Sequence, residues 1–350
     1  MESIHKTLVI RFSSVGDIVL SSLLVRVFHL RFPESQIDYL VKAEFADLVR
    51  YNPHISHVLE FPRGGTFSDL VNIRRRISAS QYDLIIDIHD SLRSRYLCIG
   101  AKRVVRINKR KAARFMFINL KWNLYQMFGG TPSVAERYLE TVWEFRAFND
   151  NKGLEIFFPE TAEDKALSLL HEAGAVPGQI LIAVCPSARH FTKMWLKERF
   201  AEAAAQLSRE VKAGIVILGS HGEEERCTDI ERRIREASPE TVVVNVAGRL
   251  SFPETAAMMD RCEIVITNDS GLMHIAAARK RNVVAIFGST TKELGFYPYG
   301  TPHIVVENDS LECRPCTHIG RQSCPKGHFK CMNDIPTSRV VEAAHRLLEG

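Results

Sequence analysis

Apolar runs alternate with polar turns along most of this chain. Leu8-Val9-Ile10 centres a buried strand expected over 7–12, and the turn Ser13-Ser14-Val15-Gly16-Asp17 leads into an apolar helix from Ile18 to about Leu30. Pro33 ends that region, and Ile37 to Val41 reads as a second strand. A helix near 43–51, a short strand at Val58–Phe61, a helix from about Phe67 to Ile77 and a strong strand at Leu84-Ile85-Ile86-Asp87-Ile88 follow. Strands and helices in this order predict a parallel sheet with helices on both faces. Residues 112–147 read as mainly helical, broken at Gly129-Gly130-Thr131-Pro132.

Composition shifts at 149–162, where Asn149-Asp150-Asn151-Lys152-Gly153 and Pro159 predict a linker. A second alternation follows, with strands expected at Ile180–Val184, Ile215–Leu218, Val242–Val246, Ile264–Thr267 and Val283–Phe287. Helices are expected between them at about 198–211, 223–237, 253–260 and 271–279. The fold class is therefore α/β, with two Rossmann-like doubly wound domains at 1–155 and 156–335. An amphipathic helix within 336–350 is expected to pack back across the domains. Doubly wound sheets bind ligands at the carboxyl ends of their strands, and two of them imply a cleft. The turns carrying Asp17, Ser187, Glu223 and Asp269 all fall at such ends.

Composition sharpens this picture. With 350 residues, 45% hydrophobic and 25% charged, the chain is long enough for two domains and reads as globular. It contains no apolar run of membrane-spanning length, and Arg11 cuts the first apolar run, unlike a signal peptide. A cytoplasmic location is expected. The net charge of +5 is unevenly spread: residues 102–114 hold Lys102, Arg103, Arg106, Lys109, Arg110, Lys111 and Arg114 with no acidic residue. Such a run is either a solvated face or a landing site for an anionic partner. Its lack of interleaved aromatics argues against nucleic acid.

The candidate chemistry centres on Ile264-Val265-Ile266-Thr267-Asn268-Asp269-Ser270-Gly271-Leu272-Met273-His274. A buried strand running straight into a helix start leaves unpaired N–H groups at the positive end of the dipole, a seat suited to a diphosphate. Ser187 follows Cys185-Pro186 at a strand end, Lys193-Met194-Trp195 precedes a helix, and Gly219-Ser220-His221-Gly222-Glu223 follows another strand. Lys193 suits a phosphate or simply solvent; Glu223 suits a ribose or simply a helix start. No G-x-G-x-x-G follows the first strand and no G-x-x-x-x-G-K-[ST] occurs, which argues against dinucleotide and P-loop chemistry.

Taken together these residues resemble glycosyltransferase family 9, the ADP-heptose:lipopolysaccharide heptosyltransferases. Asp269-Ser270-Gly271-Leu272-Met273-His274-Ile275-Ala276 fits the family pattern D-[ST]-G-x-x-H-x-A, and Ser14-Val15-Gly16-Asp17 fits S-x-G-D. Lys193-Met194-Trp195 fits K-x-W, with Leu196 where the family usually has Pro. The resemblance implies a GT-B fold, with the acceptor in the N-terminal domain and the nucleotide sugar in the C-terminal one. It also implies an inverting, metal-independent transfer of heptose onto the lipopolysaccharide inner core. Asp17 would be the base; Ser187, Lys193, Glu223, Asp269, Ser270, Gly271, Leu272 and His274 would bind the donor. Ser14, Gly16, Arg106, Lys109 and Arg110 would face the anionic acceptor. The partners implied are an ADP-sugar and the lipopolysaccharide core, with peripheral contact at the inner membrane surface, in a monomer. Other readings within this fold are another nucleotide sugar, another envelope glycan, or a sugar-nucleotide epimerase.

Cys313, Cys316, Cys324 and Cys331 read C-x2-C-x7-C-x6-C. That spacing admits a structural zinc, reduced loop thiols or disulfides. It resembles a C-terminal feature of part of the family, and transfer requires no cofactor there.

Overall fold

The computed structural model describes residues 4–125 and 130–349; Gly129 of the expected helix break lies outside them. Two compact units form, one from Met1–Lys109 with Pro132–Phe157, the other from Arg110–Thr131 with Phe158–Gly350.

The first unit holds a parallel sheet of β1 (Lys6–Ile10), β2 (Gln36–Lys42), β3 (His57–Phe61), β4 (Leu84–Asp87) and β5 (Val104–Arg106), in the order β3-β2-β1-β4-β5. All four residues of β4 are buried, as a strand covered on both faces requires. Leu8, Ile10, Leu40 and Ile85 join Ile73 and Ile77 of the helix Phe67–Ser80 in one core. Strand order runs outward one way from β1 and the other way from β4. The switch point lies between them, where Ile10 is in register with Asp87. The turn bearing Asp17 and the turn after Asp87 thus open at the same sheet edge.

The second unit repeats the plan with β6 (Leu181–Cys185), β7 (Gly214–Ile217), β8 (Val243–Asn245), β9 (Ile264–Asn268), β10 (Asn282–Phe287) and β11 (His303–Glu307). Their order is β11-β10-β9-β6-β7-β8, all parallel, so the switch point falls between β6 and β9. There Cys185 is in register with Thr267, which puts the loop bearing Ser187 beside the turn bearing Asp269. Two Rossmann-like doubly wound sheets are the architecture of the GT-B class.

Most elements lie within one or two residues of their expected bounds, with informative differences. The first helix divides at Ser21 into Val15–Leu20 and Ser22–Arg31; Ser21 Oγ sits 2.6 Å from the Ile18 carbonyl and 2.8 Å from the Tyr39 hydroxyl. Residues Ala43–Leu48 form a 3₁₀ turn. The strands β5 and β11 and the helix Glu160–Glu172 were not expected; the helix begins at Pro159, inside the stretch read as linker. The terminal helix Thr337–Glu349 is part of the second unit, with Val340, Val341, Ala343 and Ala344 in the core alongside Ile264 and Ile286. Its apolar stripe packs against that sheet.

Candidate active site

Each unit gathers a polar cluster at its switch point. In the first, Asp17 is the third residue of the helix Val15–Leu20. Its Oδ2 accepts from the Ser14 backbone N–H (3.1 Å) and the Ser14 hydroxyl (2.8 Å). Its Oδ1 lies 2.7 Å from Arg11 Nη2 and accepts from the Tyr138 hydroxyl at 2.9 Å. Burial works against the charge, yet Arg11 and the Ser14 bonds outweigh it and hold the carboxyl down at about 2. Asp17 is thus a capping residue and a buried ion-pair partner together. Gly16 is buried within that helix start. Arg11 also donates to the Ile88 carbonyl at 2.7 Å, which ties the Asp17 turn to the turn after β4.

In that second turn Asp87 Oδ1 accepts from the backbone N–H groups of His89 (3.1 Å) and Asp90 (2.8 Å). Burial pushes the Asp87 carboxyl up, and Arg106 stands 3.6 Å from it. Burial, with Arg11 and Lys109 nearby, pushes the His89 imidazole down to about 3, so it is neutral. Its Nδ1 is buried without a hydrogen-bond partner among the described residues.

The basic run is not one uniform cationic face. Lys102 pairs with Asp83 (3.0 Å) and Arg103 with Glu144 (2.9 Å), while Lys109 donates to the Asp90 carbonyl (3.0 Å). Arg106 is engaged by Asp87, and Arg110 begins the segment grouped with the second unit. The reason is local: the run crosses β5, whose alternation sends side chains to different faces, and then crosses the unit boundary.

In the second unit the fully buried Asn268 at the end of β9 joins three segments. Its Oδ1 accepts from the Trp195 backbone N–H (3.0 Å) and its Nδ2 donates to the Pro186 carbonyl (2.8 Å). Trp195 is fully buried, edge-on to Phe200, with its indole N–H on the Ile335 carbonyl (3.2 Å). Arg226 adds bonds to the carbonyls of Pro186 (3.1 Å) and Trp195 (2.6 Å). This network fixes Lys193, whose Nζ lies 2.7 Å from Asp269 Oδ2. The same oxygen accepts from the Thr290 hydroxyl at 2.6 Å. Arg314 holds the loop bearing Thr290 through the carbonyls of Gly288 (2.5 Å) and Thr290 (2.8 Å).

Ser270 occupies the N-cap position of the helix Gly271–Ala278 but caps no N–H with its side chain. The first turn, with Gly271 and Leu272 partly exposed, therefore presents backbone donors at the positive end of the dipole. Ser187 Oγ is buried without a hydrogen-bond partner among the described residues. Glu223 accepts from the Ser220 N–H at 2.7 Å and sits at the start of the helix Glu224–Ala237. His274 is buried, 6.4 Å from the Phe296 ring, in a packing position. One cluster thus offers an ionised carboxylate, and the other a cation and backbone donors. Asn268, Arg226, Thr290, Arg11 and Tyr138 were not among the expected residues; only Asn268 adjoins a recognisable motif.

The four C-terminal cysteines are free thiols. Cys313 Sγ lies 3.9 Å from His328 Nε2, and among the described residues no three His, Cys, Asp or Glu side chains are grouped to hold a metal ion.

Residues 70–326 match the model of glycosyltransferase family 9 (heptosyltransferase). The chain is 28% identical to lipooligosaccharide heptosyltransferase 2 of Haemophilus influenzae, over 97% of this chain and 99% of that protein. A family 9 glycosyltransferase structure from Veillonella parvula superposes with a TM-score of 0.80 at 24% identity, covering 100% of this chain and 99% of that one. The E. coli ADP-heptose lipopolysaccharide heptosyltransferase II structure gives 0.75 at 23% identity, covering 98% of both chains.

Proposed function

This chain belongs to glycosyltransferase family 9, and from that membership we propose that it transfers heptose from an ADP-heptose donor to the lipopolysaccharide inner core by inversion. Enzyme class follows from the family: the chain is a glycosyltransferase. The observation that carries the finer reading is the Asp269 turn: Lys193, an uncapped helix start and the Ser187 hydroxyl, without a hydrogen-bond partner among the described residues, follow β6 and β9, the strands that flank one switch point.

In the proposed reaction Asp17 takes the proton of the acceptor hydroxyl as its oxygen bonds to the anomeric carbon. The bond from that carbon to the diphosphate breaks on the opposite side, and ADP leaves with the electron pair. Lys193 and the N–H groups of Gly271 and Leu272 stabilise the charge that grows on it. Glu223 and Asp269 contact the nucleotide and sugar, with Lys193 exchanging its Asp269 partner for the diphosphate. Ser14 and the cations Arg106, Lys109 and Arg110 receive the anionic acceptor. A lysine and a helix dipole supply the positive charge in place of a divalent ion, so the transfer is metal-independent. The enzyme works as a monomer at the cytoplasmic face of the inner membrane.

Ligand-induced stabilisation with ADP, UDP, GDP and CMP, followed by donor turnover in excess chelator, tests this. ADP alone should raise the melting temperature clearly, and transfer from ADP-heptose should persist with chelator. Preference for another nucleotide, or activity restored only by Mg²⁺ or Mn²⁺, would overturn the reading.

A further inference from the structure

From Ser91 to Ala135 the chain contains ten cations and no carboxylate: Arg93, Arg95, Lys102, Arg103, Arg106, Lys109, Arg110, Lys111, Arg114 and Lys121. Its last part, within the second unit, is also apolar on two sides. The helix Lys111–Phe115 continues into a π-helical turn, Met116–Leu120. One side is consumed: Phe117 and Tyr125 are buried with Leu294, and Ala113, Ile118 and Phe296 pack against them. Lys121 clamps the segment from its C-terminal end through the carbonyls of Cys313 (3.2 Å) and Pro315 (2.6 Å).

The other side is uncovered. Phe115 is 61% exposed, Leu120 47% and Trp122 60%, and Lys111 is exposed beside them. Large apolar side chains clustered on a cationic segment mark an interaction surface. A tryptophan and a phenylalanine among lysine and arginine, with no acidic neighbour in the segment, match the headgroup region of an anionic bilayer. No described helix is long and apolar enough to cross a membrane, so the contact is interfacial.

We propose that residues 110–122 dock this enzyme on an anionic lipid surface, with Phe115, Leu120 and Trp122 entering the interface and Lys111 and Arg114 meeting the headgroups. The assignment rests on the proposed reading only for which membrane is met; the contact itself needs neither donor nor acceptor. Each cation near such a surface strengthens binding about fivefold.

The chain's three tryptophans make the test direct. Trp195 is fully buried and Trp143 is 52% exposed, so a Trp143→Phe background leaves Trp122 as the exposed reporter. Vesicles of equal parts phosphatidylcholine and phosphatidylglycerol should shift its emission to the blue and bind the protein; phosphatidylcholine alone should bind it far more weakly. Phe115→Ser with Trp122→Ser, in an otherwise wild-type chain, should lose about tenfold or more in vesicle affinity with unchanged ADP affinity. Lys111→Glu, a single exposed change, gives the same reading if the double variant fails to fold, with an expected loss of at least about fivefold. Absence of vesicle binding by the wild type, or binding without the Trp122 shift, would overturn the proposal. Loss of ADP binding in a folded variant would do the same by assigning the segment to the donor site. Failure of the ADP preference would instead strike the proposed function and leave the vesicle result standing.

Discussion

Asp17 accepts four contacts on two oxygens, from Arg11, Tyr138 and both donors of Ser14, which fills the capacity of a carboxylate. An acceptor hydroxyl must displace one of them before it can hand over a proton. Because the carboxyl is held at about 2, below its ordinary 3.8, it is ionised throughout the working range. The acid limb of kcat/KM should therefore be absent down to about pH 4, and an inflection near pH 6 would point to another base. The same depression contributes stability that is present above the ordinary carboxylate range and lost as pH falls through about 2, on the order of 2 kcal/mol. Asp17→Asn keeps a helix cap but strands the Arg11 guanidinium, and breaking such a buried pair costs roughly 3–5 kcal/mol. We expect that variant to lose at least about a hundredfold in kcat and also to melt earlier. Adding Arg11→Met should restore most of the melting temperature and none of the turnover. Turnover of the single variant within about fivefold of wild type would remove Asp17 as base. The neutral His89, whose buried Nδ1 has no hydrogen-bond partner among the described residues, would then be the next candidate.

Among the elements, β9 shows how a strand end organises a site. Asn268 satisfies the Trp195 N–H and the Pro186 carbonyl at once, so Asn268→Ala leaves a buried donor bare at about 1–3 kcal/mol. Lys193, two residues before Trp195, loses its placement with it, and ADP should bind about tenfold more weakly. An unchanged dissociation constant beside a lowered melting temperature would make Asn268 a packing residue only. The sequence made β9 and its turn legible because four β-branched positions, Ile264, Val265, Ile266 and Thr267, run into an Asn-Asp-Ser-Gly cap. Two sheet edges were not legible. β5 has three residues, Val-Val-Arg, inside a cationic run, and β11 is half-exposed, so neither carries a buried-strand pattern. Tyr138 was hidden for a different reason: it reaches Asp17 across 121 positions of sequence, which local periodicity does not register.

At the scale of the whole molecule, a net charge of +5 understates the field. The stretch from Ser91 to Ala135 holds ten cations and no carboxylate; Asp90, Asp83, Glu144 and Asp87 offset Arg95, Lys102, Arg103 and Arg106, and the remaining excess projects positive potential over its surroundings. Raising ionic strength should therefore raise the acceptor KM steeply. The ADP dissociation constant should move less, since the Lys193 side chain is only 12% exposed. Parallel salt dependence of the two constants would show that the basic stretch does not steer the acceptor.

The two units are not consecutive stretches of the chain. The chain passes between them at 109–110, 131–132 and 157–158, and the excursion Arg110–Thr131 delivers Phe117 and Tyr125 to Leu294 of the second unit. A gene cut at the linker would separate that unit from part of its own core, leaving Leu294 and Phe296 uncovered. Recombination between relatives at one crossover near residue 157 would likewise pair a foreign Phe117 and Tyr125 with the resident Leu294. Swapping acceptor and donor preferences between relatives thus calls for exchanging residues 110–131 together with the C-terminal part, as a discontinuous module.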